Sequence, residues 1–276
     1  MTRIKKSSLT EESAESLCRE IRLLAGELPN HPMLVNLYWT WQDEKYLYRV
    51  DDDIMNEEAV DVNLEKLASQ LAIVIHYIHS YGMIHGNINP NSFHITANSI
   101  KIGSFGYLRK VKGGKRLNGV CGDLTEFRAP ECEIEEGEGY FEEIDWYSYG
   151  KTLEYYFKNH KTLPPSSSLH LQDLISKLTK DHPKEDRLGY GPAGFKSIQS
   201  HPFFSQTDWP HLLTQKTDQA DRKKYGSLSA SIESLKSKTT TMTGSDEGCG
   251  WRGFVEFSWE EEGEIGQMLE SIIKRI

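Results

Sequence analysis

One run of residues, from Asn63 to Gly106, does most to limit what this chain can fold into. Leu64, Leu67, Leu71, Val74, Ile75 and Ile78 recur at helical spacing, so 63–80 is predicted to be an amphipathic helix with one buried face. A short polar stretch follows, in which His85 leads and Pro90 sits five residues on. Phe93-His94-Ile95 and Ile100-Lys101-Ile102 then alternate across Ala97-Asn98-Ser99, the pattern of a short hairpin, and Ser104-Phe105-Gly106 closes the run.

This frame resembles the centre of the protein kinase fold, where H-R-D-L-x-x-x-N, a hairpin and D-F-G follow one another. The resemblance implies that Asn87 stands at the catalytic Asp, Asn89 at the following Lys, Ser92 at the metal-binding Asn and Ser104 at the metal-binding Asp of D-F-G. Phosphoryl transfer is mostly positioning and charge neutralisation around Mg²⁺, and that hard cation prefers carboxylate oxygens. Asn and Ser carry no charge. An amide is also a poor proton acceptor, where a positioned base contributes about 10²–10⁴-fold. The four replacements therefore predict a catalytically inactive kinase-like module, a pseudokinase rather than an enzyme. No metal and no cofactor are expected, and binding of ATP with Mg²⁺ is in doubt.

Ahead of this centre, Ser8-Leu-Thr-Glu-Glu-Ser reads as a helix start capped by Thr10 or Ser8, and the helix is expected to reach about Ala25 with Leu17, Ile21 and Leu24 on one stripe. Two strand-like runs follow, Leu34–Trp41 and Tyr46–Val50, across the turn Gln42-Asp43-Glu44-Lys45. NHPMLVNLYWTWQDEKYLY resembles the αC helix exit and following strands of a kinase front lobe, which puts Glu20 at the αC Glu. Thr2-Arg3-Ile4-Lys5 falls where the family's V-A-I-K strand would lie, so Lys5 is either the partner of Glu20 or part of a solvated basic terminus. No G-x-G-x-x-G loop occurs in the chain.

Behind the centre, Val120-Cys121-Gly122 and Thr125-Glu126-Phe127-Arg128-Ala129-Pro130-Glu131 resemble the family's L-C-G-T-P-E-Y-L-A-P-E, with one extra residue in the front half. Gly119 stands where the family carries a phosphorylated Thr, and Gly86 replaces the Arg of H-R-D. Glu133–Glu143 is expected to be an exposed acidic loop. Asp145-Trp146-x-x-x-Gly150 resembles the family's D-x-W-S-x-G helix start, where the Asp would accept backbone N–H groups of the catalytic loop. Phe157–Leu169 reads as a short linker in place of a deleted helix, and Leu171, Leu174, Ile175 and Leu178 mark the next helix.

Asp186-Arg187-Leu188-Gly189, Ile198, His201-Pro202-Phe203-Phe204 and Asp208-Trp209 resemble the AGC group, most closely its ribosomal-protein-kinase-like members. The resemblance implies a buried Arg187–Glu131 pair and a structural frame of His85, Phe105, Glu131, Asp145 and Arg187. Tyr225–Gly248 reads as a Ser/Thr-rich linker. Phe254-Val255-Glu256-Phe257-Ser258-Trp259 resembles the AGC hydrophobic motif, which makes Phe254 and Phe257 docking residues and Ser258 a phosphosite.

Composition narrows the partners. The net charge is −9 without a Lys/Arg block, which argues against nucleic acid and acidic membrane surfaces and leaves protein partners. Cys18, Cys121, Cys132 and Cys249 are scattered, as expected of free thiols in a reducing, cytoplasmic setting. The N-terminus lacks an apolar signal-peptide core, and Leu71–Ile75 is far too short to span a bilayer. His76, His79, His85 and His94 show no zinc-ligand spacing, and Asp51-Asp52-Asp53 reads as a solvated turn.

The expected fold is α+β: a kinase-like fold with a truncated N-lobe over 1–50, a mainly helical C-lobe over 51–214 and a flexible tail over 215–276. The expected function is a protein-binding or scaffold module. Two alternatives stand beside it: an atypical serine/threonine kinase that recruits Asp123 or the hinge carboxylates to hold metal, and a truncated product of a longer kinase-like gene.

Overall fold

Thr10 starts the first helix because its side chain can satisfy a backbone donor that the helix leaves open. In the computed structural model Thr10 is extended (φ −77°, ψ 163°), and its Oγ1 accepts the Ser13 N–H at 3.2 Å. The structure describes residues 2–24, 28, 31–42, 45–51, 63–95, 99–111, 114–119, 121–132, 139–159, 163–181 and 184–214. Among these, 2–24, 28, 36–42 and 45–51 form one compact unit, and 31–35 with 63–214 form another.

The smaller unit contains β1 (Thr2–Lys5), α1 (Glu11–Arg22), β2 (Leu37–Gln42) and β3 (Tyr46–Asp51). The strands make an antiparallel sheet in the order β1-β3-β2, with Ile4 opposite Leu47. Leu17 and Ile21 lie one helical turn apart on α1 and pack on Leu47, with Ile4, Leu9 and Leu37 around them. The strand expected over Leu34–Trp41 begins only at Leu37, because Leu34 and Val35 belong to the larger unit. There Leu34 bridges Ile102 in parallel, the Val35 N–H donates to the Ile102 carbonyl (2.9 Å), and the Ile102 N–H donates to the Met33 carbonyl (2.8 Å). The division therefore departs from a simple cut at residue 50.

The larger unit is built on α2 (Leu64–Ser80), capped by Asn63, whose Oδ1 accepts the Lys66 N–H at 2.9 Å. The helix is buried from Leu64 to Ile75 except at Glu65 and Lys66, well beyond a single face. Its small residues explain how a neighbour can come so close. α3 (Glu143–Asn159) crosses it where the Tyr149 hydroxyl donates to the Ala68 carbonyl (2.9 Å). On its other side α3 meets α4 (Pro165–Leu178) at Gly150, where a Cβ would stand 2.7 Å from Leu178 Cβ. The expected linker 157–169 is mostly helix. α3 continues to Asn159, and Pro165 opens α4 at its first turn, where a missing N–H costs nothing.

Short strand pairs flank the helices: β4 (Met83–Ile84) with β7 (Arg109–Lys110), and β5 (Phe93–Ile95) with β6 (Ile100–Ile102). α5 (Gly194–Gln199) brings Phe195 onto His76, with ring centres 4.1 Å apart and nearly parallel. α6 (Trp209–Thr214) sets Trp209 edge-on to Phe195. The described end of the expected acidic loop is not exposed. Tyr140 is buried and pairs with Leu117, and Glu143 is buried because Arg116 holds its carboxylate at 3.2 Å. The mixture of short strands and packed helices is that of a kinase-like α+β fold. No helix among the described residues is long and apolar enough to cross a membrane.

Candidate functional site

The site is the loop 85–92 between β4 and β5, and α3 holds it from below. Asp145, in the first turn of α3, accepts the His85 N–H through Oδ2 and the Gly86 N–H through Oδ1, each at 2.8 Å. His79, at the end of α2, meets the same Oδ2 at 2.8 Å. Burial opposes the charge of Asp145, but the hydrogen bond and charge of His79, the charge of His85 and the Gly86 N–H together carry its carboxyl below the usual range.

His85 is wholly buried, and its two ring nitrogens have separate tasks. Nδ1 accepts the Asn87 N–H (3.2 Å), which leaves Nε2 to donate to the Gly103 carbonyl (3.0 Å). Phe105 packs beside the ring, with centroids 5.4 Å apart, and burial pushes the His85 pKa down.

Asn87 does not face open space. Its Nδ2 donates to Asp123 Oδ2 at 2.9 Å, and its Oδ1 accepts the Asp123 N–H at 3.1 Å. Asn89 donates through Nδ2 to the same Oδ1 (2.8 Å) and to the Asn87 carbonyl (3.1 Å). The amide at 87 is thus fixed in plane and orientation, with an exposed carboxylate one hydrogen bond away. Gly122 passes directly over this amide with φ +74°, and a Cβ there would lie 3.2 Å from both Asn87 Oδ1 and the Gly86 carbonyl.

The other expected positions divide clearly. The Ser92 hydroxyl is consumed in a turn, donating to the Asn89 carbonyl (2.8 Å) and accepting the Asn89 N–H (3.1 Å). Ser104 is exposed and is the one described non-glycine residue with positive φ (58°, ψ 49°), a conformation that costs about 1–3 kcal/mol and recurs at functional sites. Glu131 and Arg187 form a two-pronged pair at 2.6 and 3.2 Å.

Lys5 does not pair with Glu20. The Glu20 carboxylate accepts from Arg49 Nη1 at 3.1 Å, because the β3 register turns Arg49 toward α1, while Lys5 is exposed on β1. Phe254, Phe257 and Ser258, and the hinge residues Asp52 and Asp53, lie outside the described residues. Sequence reasoning passed over Arg128, which donates to the Cys121 and Gly122 carbonyls (2.6 and 2.9 Å); only its place beside Ala129-Pro130-Glu131 marks it.

Among the described residues no three His, Cys, Asp or Glu side chains converge on a metal-sized site. At the loop, Asp123 is exposed, the Asp145 carboxylate is buried with both oxygens engaged, Ser92 is turned inward and Asn87 has both ends engaged. This donor set does not fit the Mg²⁺ arrangement that the kinase resemblance implies.

Comparison with known proteins identifies the family. The protein kinase domain family matches residues 1–167. Ribosomal protein S6 kinase alpha-1 of Mus musculus is 29% identical over 203 residues, which cover 66% of this chain and 28% of the mouse protein. Ribosomal protein S6 kinase alpha-6 of Danio rerio is 28% identical over 214 residues, with the same coverage. Ribosomal protein S6 kinase beta of Caenorhabditis elegans is 27% identical over 214 residues and 38% of its length. The chain therefore spans between about a quarter and two fifths of the curated relatives it matches.

These findings overturn the expectation of a non-enzyme. That expectation weighed four replaced residues, whereas the family match and the kinase relatives point to a serine/threonine kinase enzyme. On the match over residues 1–167, the chain belongs to the protein kinase domain family.

Proposed function

We propose that the chain carries out serine/threonine kinase-type phosphoryl transfer, with a nucleoside triphosphate as donor, a protein hydroxyl as acceptor and Asp123 as proton acceptor. The observation that carries this reading is the paired contact of Asn87 with Asp123, at 2.9 and 3.1 Å. The hydroxyl oxygen attacks the γ-phosphorus, the bond to the β-phosphate oxygen breaks, the nucleoside diphosphate leaves, and the hydroxyl proton passes to the Asp123 carboxylate. Asn87 holds that carboxylate in place but takes no proton itself.

The names of the relatives, all kinases, support the reaction class, and the net charge of −9 supports a protein rather than a nucleic-acid partner. Cys18, Cys121 and Cys132 as free thiols support a reducing, cytoplasmic setting.

The test is transfer of labelled γ-phosphate by the full chain to itself and to mixed protein acceptors. Transfer should appear, and Asp123→Ala should reduce it by about 10²-fold or more, the share of a positioned base. Absence of transfer in the intact chain, or transfer indifferent to Asp123→Ala, would overturn the proposal.

A further inference from the structure

Asp123 meets Asn87 with its carboxylate and with its backbone N–H, and the peptide unit that carries that N–H is held from its far side. The Gly122 carbonyl and the Asp123 N–H belong to the same peptide group, and in a trans peptide they point in opposite directions. The Asp123 N–H donates to Asn87 Oδ1 at 3.1 Å. The Gly122 carbonyl accepts from Arg128 Nη2 at 2.9 Å, while Arg128 Nε takes the preceding carbonyl, that of Cys121, at 2.6 Å. A guanidinium presents its donors in a rigid planar fork, so two successive carbonyls gripped together fix the peptide plane as well as its position.

The need for such a grip lies in Gly122. Its φ of +74° is available to glycine at little cost, so the backbone alone gives little reason for the 122–123 peptide to face one way rather than the other. A flip of that plane would turn the Asp123 N–H away from Asn87 and leave Asp123 with one contact to Asn87, through its carboxylate, instead of two.

Resting on the phosphoryl-transfer reading, we infer that Arg128 is a positioning residue for Asp123: it locks the Gly122–Asp123 peptide so that the carboxylate meets Asn87. Arg128 bears on the site through the backbone carbonyls of Cys121 and Gly122.

Two readouts on the full chain separate this role from plain stability. The first needs no activity: hydrogen exchange of the Asp123 amide, followed by NMR in wild type, Arg128→Ala and Arg128→Lys. Arg128→Ala should speed exchange at Asp123 by about tenfold or more, as expected for loss of a hydrogen bond to a charged group, with the amides of α3 unchanged. Arg128→Lys, which can hold one carbonyl but not two, should fall between. Unchanged exchange at Asp123, or an acceleration matched throughout α3, overturns the inference; if Arg128→Ala does not fold, the Lys variant is judged by the same criterion.

The second is a kinetic cycle. Arg128→Ala should lower kcat with little change in KM, and should have no further effect once Asp123 is Asn, because residues that act through one another are not additive. Full additivity overturns the inference. A wild-type chain without transfer would sink the phosphoryl-transfer reading while leaving the exchange result to decide the role of Arg128.

Discussion

Arg187 grips Glu131 with both arms of its guanidinium, at 2.6 and 3.2 Å, and its side chain is fully buried while doing so. Its Nε donates to the Lys180 carbonyl at 3.0 Å, and the guanidinium lies 4.8 Å from the centre of the Tyr147 ring. The pair ties the segment that carries Asp123 to the loop ahead of α5.

Glu131→Ala leaves the Arg187 charge buried and unpaired. The expected loss of folding stability is about 3–5 kcal/mol. Denaturant titration of the full chain measures it, and a loss below about 1 kcal/mol, the range of exposed pairs, would show that the pair is solvated.

Acid should destabilise the larger unit well before its carboxylates protonate. His31 is pushed down to about 4 by burial, with Lys101 adding to the effect. Its Nδ1 accepts the Met33 N–H at 3.2 Å, a bond that protonation would remove. The unfolded chain takes up this proton near pH 6.5 and the folded chain only near 4, so the histidine's contribution is lost as pH falls through that window. Burial lowers the pKa of His76, His85 and His201 as well, and they add to the slope in the same direction. Unfolding midpoints between pH 7 and 4.5 should fall steadily and fall less in His31→Asn, which keeps an acceptor but does not titrate. Equal slopes would remove His31 from the account.

Gly122→Ala attacks the site without removing a polar group. A left-handed backbone costs a residue with a Cβ roughly 1–2 kcal/mol. The added Cβ also presses on Asn87 Oδ1 and the Gly86 carbonyl at 3.2 Å. Phosphate transfer should drop far more than the melting temperature does. A variant that keeps its transfer rate would show that the 122–123 peptide can move without consequence.

The parts legible in the sequence are those fixed by short-range chemistry. Thr10 announces α1 because the cap and the donor it satisfies are three residues apart, and α2 shows in the spacing of its leucines and isoleucines. What escaped depends on distant partners. Leu34 reads as the start of a strand, yet its bridge to Ile102 assigns it to the other unit. Phe157–Leu169 reads as a linker, yet Pro165 opens a helix within it. Glu20 has a basic residue at the expected spacing in Lys5, but strand register delivers Arg49 instead. Asp123 could be named from sequence only as one of several carboxylates, because its contact with Asn87 spans 36 positions and crosses a segment one residue longer than the family pattern. Arg128 bonds backbone carbonyls, and sequence spacing does not reveal which carbonyls turn toward it.

The decisive measurement is the rate of γ-phosphate transfer in the exchange Asn87→Asp with Asp123→Asn, beside each single variant. The contact survives the exchange with its roles reversed: an Asp at 87 accepts both the Asp123-position N–H and its new amide, as Asn87 Oδ1 now accepts the N–H at 3.1 Å. Asp123→Asn alone should lose about 10²-fold or more, since no base remains. Asn87→Asp alone sets two carboxylates at hydrogen-bond distance, where both cannot ionise freely. The double exchange should transfer phosphate faster than Asp123→Asn, with all variants folded. No transfer in the wild type, or a double variant as inactive as Asp123→Asn, would contradict it.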